Sequence, residues 1–245
     1  MFRTPLLIAS CLAAASASAY DAGDFVIRGG LASVDPAESS SAIAVNRPSA
    51  AAGDKTGTEV GVDGDISLGI SFTYFIRPQI AIELLGATPF KHSIQGAGIL
   101  SGLGKLGEVQ HLPPTLSVQY YPMPSEAKLQ PYVGAGLNYT IFFKEDTTQT
   151  LTNSVGALAS LPNNPVAGVQ ATSTDLELED SIGLAAQAGL DYRLTERIGL
   201  NAAVWYVDID TKADITAETN AGRVRADVDV DIDPWVYMVG VAIKL

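Results

Sequence analysis

Cysteine, histidine and long hydrophobic runs are scarce in this sequence. Its 245 residues include one Cys and two His, and the Cys, Cys11, lies in an N-terminal segment that we expect to be removed. The mature chain then has no disulfide, so its stability must come from backbone hydrogen bonding and its surroundings rather than from cross-links. After the N-terminal segment no apolar run reaches the length of a membrane helix, which excludes a helical membrane protein.

Acidic residues outnumber basic ones. Fifteen Lys and Arg stand against 27 Asp and Glu, a formal net charge of −12 at pH 7, and loss of the N-terminal Arg3 makes the mature chain more negative still. Such a chain is a poor partner for nucleic acid, because phosphate binding depends on Lys and Arg. The mean hydropathy of +0.20 is only mildly apolar, as expected when half of every strand faces a polar interior.

Residues 1–19 have the composition of a signal peptide. Arg3 gives a basic start, an apolar segment follows, and small residues precede position 20. A lipoprotein site at Cys11 is an alternative that we disfavour, because few apolar residues come before it. We therefore expect a signal peptide at 1–19 and one barrel domain at 20–245, a length that single all-β domains often have.

Large apolar residues alternate with small or polar ones along the mature chain. Between Leu112 and Phe143, two alternating runs flank one short polar turn, the period-2 pattern of strands between unlike environments. Each run has roughly the 9–11 residues that a tilted strand needs to cross a bilayer. Similar runs predict eight strands, at residues 25–32, 66–74, 80–87, 115–120, 132–143, 181–191, 198–206 and 237–245.

The connections between these runs alternate in length. Polar segments at 33–64, 91–111 and 144–180 are long, and the turns between them are short, which predicts periplasmic termini and long loops outside the cell. The predicted fold is all-β: an eight-stranded antiparallel transmembrane β-barrel with short periplasmic turns and long extracellular loops. Two girdles of aromatic residues are expected at the bilayer interfaces. They are Tyr74, Tyr120, Tyr132 and Tyr192 beside the short turns, and Phe90, Phe143, Tyr206 and Trp235 beside the long loops.

Four titratable residues have structural explanations. Arg28 and Glu83 share inward parity, so we expect an ion pair between them in the lumen. His92 and His111 stand near loop boundaries without cysteines or metal-type spacing, so no metal, cofactor or catalytic role is predicted for them. The sequence also lacks a Ser-His-acid arrangement that strands could assemble, which argues against an enzyme.

Acidic residues alternate with apolar ones near the C-terminus. They are Asp227, Asp229, Asp231 and Asp233. Binding of a divalent cation beside lipopolysaccharide is one interpretation. A solvated outer strand face is the favoured one, because same-side acids two apart on a strand rarely converge on one ion.

Five sequence blocks are distinctive: IELLGATPFKH (82–92), HLPPTL (111–116), PYVGAGLNYTIFF (131–143), VWYVDIDT (204–211) and DPWVYM (233–238). Together they resemble the bacterial outer membrane protein W family. The resemblance implies a monomeric barrel whose narrow hydrophobic channel admits small apolar molecules, constricted at positions that match Leu85 and Trp205. The chain ends in Leu245 where family members commonly end in an aromatic. Gly240 and Ile243 still fit the signal of the C-terminal strand, so we expect the outer-membrane assembly machinery to recognise it.

Above the bilayer, the inward positions of the last two predicted strands become apolar. The parity of the seventh strand leaves Asp208 and Asp210 outward. The expected channel lining and constriction are Leu85, Trp205, Val207, Ile209, Val228, Val230 and Ile232. Two features conflict with this funnel. Glu177 and Glu179 also have inward parity unless a bulge intervenes, and Pro234 could introduce a bulge that shifts the register.

Three prolines predict a lateral opening. Pro89, Pro113 and Pro114 cannot donate ladder hydrogen bonds, so pairing between the third and fourth strands should fail there. An apolar molecule could then leave sideways into lipid; equally, the prolines could only end the strands.

A passive outer-membrane channel for small hydrophobic molecules is the leading functional hypothesis. A structural or surface-recognition barrel without transport is the alternative, and a soluble barrel of lipocalin type is disfavoured by the apolar outer face. Expected partners are outer-membrane lipid, lipopolysaccharide and small apolar solutes, for a monomer in the bacterial outer membrane.

Overall fold

Strands form nearly all of the regular structure. The computed structural model describes residues 20–47, 52–159 and 169–245, so the expected signal peptide lies outside the described residues. The strands are β1 (Phe25–Asp35), β2 (Ser39–Ser40), β3 (Ala44–Arg47), β4 (Gly53–Asp54), β5 (Thr58–Val62), β6 (Asp65–Arg77), β7 (Ile80–Ala87), β8 (Phe90–Gly98), β9 (Lys105–Leu112), β10 (Thr115–Tyr120), β11 (Leu129–Thr147), β12 (Ala171–Leu178), β13 (Ser181–Arg193), β14 (Ile198–Val207), β15 (Asp210–Thr219), β16 (Gly222–Asp231) and β17 (Trp235–Lys244). A 3-10 helix spans Ser101–Leu103, and the α-helix α1 spans Gln149–Ala159. None of the described helices is long and apolar enough to cross a membrane.

Eight of these strands close into a barrel. They follow one another around the wall as β1, β6, β7, β10, β11, β13, β14 and β17, each antiparallel to its neighbours. The last closure joins β17 back to β1, from Val26↔Lys244 to Asp35↔Trp235. Closure satisfies every strand edge, which a bilayer requires because lipid offers no hydrogen bonds. The predicted fold class is confirmed.

Burial alternates along the barrel strands as the sequence predicts. On β6 and β11 the outward Leu68 and Leu137 are 60% and 59% exposed, although both are large and apolar. Inward neighbours such as Ser71 and Asn138 are buried. An apolar outer surface around a polar interior is the reverse of a soluble barrel, and it is the pattern expected of strands in contact with lipid.

We expect Leu68→Arg and Leu137→Arg each to lower the free energy of unfolding by about 2–4 kcal/mol, the cost of an arginine near the bilayer midplane. Urea titration in lipid vesicles would measure it. Parity alone suggests that arginine should cost less at an inward site such as Gly136, but any side chain there meets the backbone of the neighbouring strand: a Cβ would lie 2.1 Å from the carbonyl oxygen of Leu116. A Cβ at outward Gly29 would make only an ordinary contact, 4.0 Å from the Gly69 carbonyl oxygen, so Gly29→Ala is a control that should change stability little.

The segments expected to be long loops are largely strands. β8 and β9 form a hairpin that pairs with β5 on one side and with the upper part of β11 on the other. A second sheet runs β12, β15, β16, β3, β4, with β2 also on β16. The barrel wall therefore continues above the membrane. The loop prediction was wrong because it relied on the polar average composition of these segments. In their strands, polar outward residues alternate with apolar inward ones.

Two sequence conflicts are resolved by local breaks in the strands. β13 pairs with β11 as far as Ser181↔Thr140, whereas β12 pairs instead with β15. At the break Asp180 accepts a hydrogen bond from the Phe142 amide. Both Glu177 and Glu179 are exposed as a result. The other break separates β16 from β17 and leaves the even-numbered positions from 228 to 238 buried, so Pro234 does not change the parity.

The aromatic girdles are smaller than predicted. Tyr206 and Trp235 are exposed on the outer face with ring centroids 5.3 Å apart. Tyr132 and Phe90, however, are buried inside the barrel. Their inward parity decides their placement more strongly than their nearness to a turn or loop does.

Candidate functional site

An apolar cavity lies inside the upper wall. Its volume is about 70 Å³. Residues of β3, β5, β8, β9, β11, β12, β15 and β16 surround it, and Leu151 and Val155 of α1 close one side. Apolar side chains predominate in the wall, and the lining side chains that carry polar atoms are His92, His111, Ser154 and Thr211. We call this space the upper cavity.

A second, smaller cavity of about 20 Å³ lies beside β7, β10, β14 and β17. We call it the lower cavity. Leu85 lines it from β7 and Trp205 from β14, and both are buried. Phe90 lines the lower cavity and stacks at 5.6 Å on His111, which lines the upper one. This aromatic stack separates the two spaces.

The residues predicted to line a channel divide between the two cavities. Val228, Val230 and Ile232 line the upper cavity. Leu85, Trp205 and Val207 line the lower cavity. Ile209 is buried and lies in the chain between Val207 and Thr211, which line the lower and upper cavities respectively.

The barrel ladder is interrupted beside the lower cavity. β7 pairs with β10 as far as Leu85↔Thr115, and pairing resumes at Phe90↔His111 between β8 and β9. Among the described residues, no ladder pair joins 86–89 to 112–114 across this gap. The three prolines lie here. Pro89 is exposed, Pro113 and Pro114 are half-buried, and Pro113 lines the lower cavity.

The barrel lumen below the lower cavity contains a buried ionic network. Arg28 is fully buried and donates from Nε and Nη2 to the two carboxylate oxygens of Asp191, at 3.0 and 2.7 Å. Its Nη1 lies 3.2 Å from Glu83 Oε2, which confirms the predicted ion pair. Nη2 also donates to Tyr121 Oη at 2.8 Å. These partners come from different sides of the barrel, so the network bridges the lumen.

Amide side chains extend this bridge. Tyr121 donates to Gln119 at 2.8 Å, Gln119 donates to Gln187 at 3.1 Å, and Gln187 donates to Ser117 at 2.7 Å. All four side chains are buried or nearly so. These hydrogen-bonded polar groups cross the lower lumen between β10 and β13.

Two histidines border the upper cavity, a feature that the sequence analysis missed. The rings of His92 and His111 stack at 4.7 Å with an interplanar angle of 12°, and their side chains are almost completely buried. Burial lowers the pKa of both, and the nearby His92 helps to lower the pKa of His111 to about 3. Both rings are thus neutral near pH 7. Inward parity on β8 and β9 would have revealed the pair, had residues 91–111 been recognised as strands.

The depressed pKa of His111 predicts a pH dependence of stability. The unfolded side chain titrates near 6.5 and the folded one near 3, so between these values the unfolded state binds more protons and stability falls as the pH falls. We expect the urea midpoint to drop across this window in the wild type and to drop less in His111→Gln. Carboxylates titrate in both proteins, so the difference between their two pH slopes reports the contribution of His111. Equal slopes would contradict the prediction.

Acidic side chains meet outside the upper wall, but not as the sequence suggested. Asp229 and Asp231 are exposed, as a solvated strand face requires. Asp233 instead lies with Asp208 and Asp210, their carboxylate oxygens within 4.8 Å of one another. Partial burial, and repulsion from Asp208 and the other acids, raise the pKa of Asp210. The cluster adds negative charge just above the outer girdle.

Comparison with known proteins gives concordant matches. The sequence model of the OmpW family matches residues 21–245. Outer membrane protein W of Vibrio cholerae is 40% identical over 235 residues, 96% of this chain and 94% of the relative. Outer membrane protein AlkL of Ectopseudomonas oleovorans is 30% identical over 182 residues, 74% of this chain and 67% of the relative.

Solved structures agree with the sequence matches. The crystal structure of the outer membrane protein OprG from Pseudomonas aeruginosa superimposes with a TM-score of 0.76 at 43% identity, covering 92% of this chain and 97% of that one. These relatives are outer-membrane proteins, and they match nearly the whole chain. The barrel described above therefore lies in the bacterial outer membrane. The chain belongs to the OmpW family.

Proposed function

We propose that this protein is a passive channel through which small hydrophobic molecules cross the outer part of the outer membrane. The observation that carries the proposal is the order of three features along the barrel. An apolar cavity lies above the membrane, a smaller apolar cavity lies beside an interrupted ladder, and a lumen crossed by a buried ionic network lies below both. An apolar solute is favoured in the first two and excluded by the third.

The upper cavity provides the driving force. Removing apolar area from water contributes about 25 cal/mol per Å², so a hydrophobic solute gains free energy when it moves from water into this space. A polar solute gains nothing, because the wall offers it few partners. The free energy of transfer supplies selectivity and needs no catalysis, so we propose a channel and not an enzyme.

The lower lumen directs the exit. Passage to the periplasm would require a solute to separate Arg28 from Asp191, and breaking such a buried pair costs about 3–5 kcal/mol. Among the described residues no ladder pair closes the gap between 86–89 and 112–114, and residues on both sides of the gap line the lower cavity, so a solute leaving there would break no ladder hydrogen bond. We therefore propose that solutes leave sideways into the bilayer through this gap.

The expected partners follow from this route. Lipid surrounds the barrel, lipopolysaccharide surrounds its upper wall, and the assembly machinery recognises β17, in a protein that we propose acts as a monomer. The small volume of the lower cavity and the Phe90–His111 stack above it also suit the alternative, a closed barrel with a structural or recognition role.

Uptake of tracers separates these two functions. Liposomes with lipopolysaccharide in their outer leaflet would be prepared with and without the protein and exposed to matched apolar and polar tracers. We expect faster uptake of the apolar tracers only. Equal uptake with and without protein would support the closed structural barrel.

The lateral route predicts an effect of closing the gap. Ala87 and Pro113 line the lower cavity from opposite sides of the gap. Cysteines at both positions, joined by a disulfide or a short thiol cross-linker, should slow apolar uptake until the link is reduced. The control places cysteines at the paired, outward Ala188 and Val204 of β13 and β14, where the ladder is already continuous. Unchanged uptake after cross-linking at the gap would reject the lateral route.

A further inference from the structure

The two histidines of the upper cavity carry polar atoms that lack partners. Nε2 of His92 and Nε2 of His111 are buried, and neither makes a hydrogen bond within the described residues. Burying such an atom without a partner is unfavourable, because it loses its hydrogen bonds to water. The other polar side chains of the wall do not have this problem: Ser154 donates to the Thr150 carbonyl at 2.7 Å, and Thr211 donates to the Glu179 carbonyl at 2.7 Å.

The tautomer of His92 is fixed by its surroundings. Its Nδ1 contacts the backbone carbonyl oxygen of Asp63, which can only accept, so Nδ1 carries the proton. Nε2 of His92 is then an acceptor that needs a donor. His111 stacks against it at 4.7 Å and in its Nε2–H tautomer supplies a donor. A single hydroxyl group can donate to the first nitrogen and accept from the second.

We propose that the His92–His111 pair is a binding site for the hydroxyl group of an otherwise apolar molecule, such as a small alcohol, held in the upper cavity. The site deepens the proposed function, because it concerns which hydrophobic molecules the same cavity holds. Leu106 and Val109 of β9 line the cavity with the pair, so the carbon skeleton of the ligand contacts apolar wall while its hydroxyl faces the two rings.

The low pKa of His111 agrees with a neutral ligand. Two uncharged imidazoles offer an anion no positive partner, and a cation would meet no carboxylate among the lining side chains. A pure hydrocarbon fills the space but leaves both Nε2 atoms without partners. An alcohol is the class of apolar molecule that removes this penalty.

The test compares two ligands of nearly equal shape, benzyl alcohol and ethylbenzene. The protein is placed in lipid nanodiscs, and the apparent Kd of each ligand is followed through the 15N shifts of the histidine Nε2 atoms and through ligand contacts to Val109. Variants are compared for the same ligand in the same lipid, so partition into lipid cancels. In wild type, benzyl alcohol should shift the Nε2 resonances and ethylbenzene should not.

His92→Leu and His111→Leu should each weaken benzyl alcohol binding about threefold to tenfold, the range expected for one neutral hydrogen bond, and leave ethylbenzene binding unchanged. Leucine removes an unpartnered polar atom from an apolar wall, so these variants should fold. His111→Gln keeps a donor and should restore part of the preference. Leu106→Ala changes the cavity size without changing polar atoms or the Val109 probe, and it should alter the binding of both ligands alike.

The outcomes separate this inference from the proposed function. Equal effects of the leucine variants on both ligands, or Nε2 shifts that indicate only water, would overturn the hydroxyl site even if liposome uptake of apolar tracers is normal. Selective alcohol binding without any liposome uptake would support the site and reject the channel.

Discussion

Leu85→Arg should leave a folded barrel that no longer takes up apolar tracers, with uptake reduced about tenfold or more. Leu85 is buried and lines the lower cavity between the upper cavity and the ladder gap. A guanidinium there keeps its water or its polar partners, and removing either costs several kcal/mol, so an apolar solute would have to pass a hydrated charge. The measurement is liposome uptake, with heat-modifiable migration as the test of folding.

The fold should tolerate this arginine because acceptors lie nearby. Glu83 lies two residues away on the same face, and one of its buried carboxylate oxygens has no hydrogen-bond partner within the described residues. The buried hydroxyl of Ser71, the ladder partner of Leu85, also lacks a partner there. Leu85→Met is the matched control, since it nearly conserves volume and polarity. Trp205→Ala, on the opposite side of the lower cavity, should widen the passage and relax selectivity. Wild-type uptake by folded Leu85→Arg would exclude the lower cavity as the route.

Asp191→Asn should lower the free energy of unfolding by about 3–5 kcal/mol, the largest stability loss that we expect from any single substitution in the lumen. Asp191 accepts two hydrogen bonds from Arg28, one from Tyr20 at 2.7 Å and one from Asn201 at 2.8 Å. Loss of its charge leaves Arg28, which is fully buried, with Glu83 as its remaining ionic partner. Urea unfolding in vesicles would measure the loss.

Two comparisons make this prediction specific to the ion pair. Glu83→Gln should cost less, because one oxygen of Glu83 accepts from Arg28 and Thr73 while the other has no partner in the described part of the chain. The double variant Arg28→Met, Asp191→Leu should lose less stability than the sum of the losses in Arg28→Met and in Asp191→Leu. Each single change leaves the other residue of the pair charged and without its partner, and the double variant does not. Additive losses would show that the two residues are not coupled.

The strand pattern of the transmembrane wall follows from the sequence, and the reason is physical. Lipid outside and polar side chains inside force a period of two on every spanning strand. That period placed Leu68 outward and Arg28 inward, and it led to the Arg28–Glu83 pair. The third partner, Asp191, had inward parity as well, but parity cannot show that β1 and β13, which are not neighbours in the wall, approach across the lumen.

The upper wall was harder to infer because its period is inverted. Above the bilayer the outward residues are charged and the inward ones apolar, so 91–111 and 144–180 have a polar average composition typical of loops. Val228 and Ile232 were placed correctly inside because their alternation with aspartates is unbroken. Parity left the placement of Glu177 and Glu179 open, because parity is lost wherever consecutive strands change their pairing partner, as β12 and β13 do at residues 179–180.

The closed barrel, its orientation, its lipid face and the position of the prolines could all be predicted from the sequence, because each depends on local period, turn length or a missing backbone donor. Tertiary structure alone decided which inward residues meet. It stacked His92 on His111, set Phe90 between two cavities and left the ladder open between 86–89 and 112–114. These contacts join strands that are distant in sequence or that the loop prediction had not recognised. Barrel closure and strand stagger fix such distances, and no pattern along a single strand contains that information.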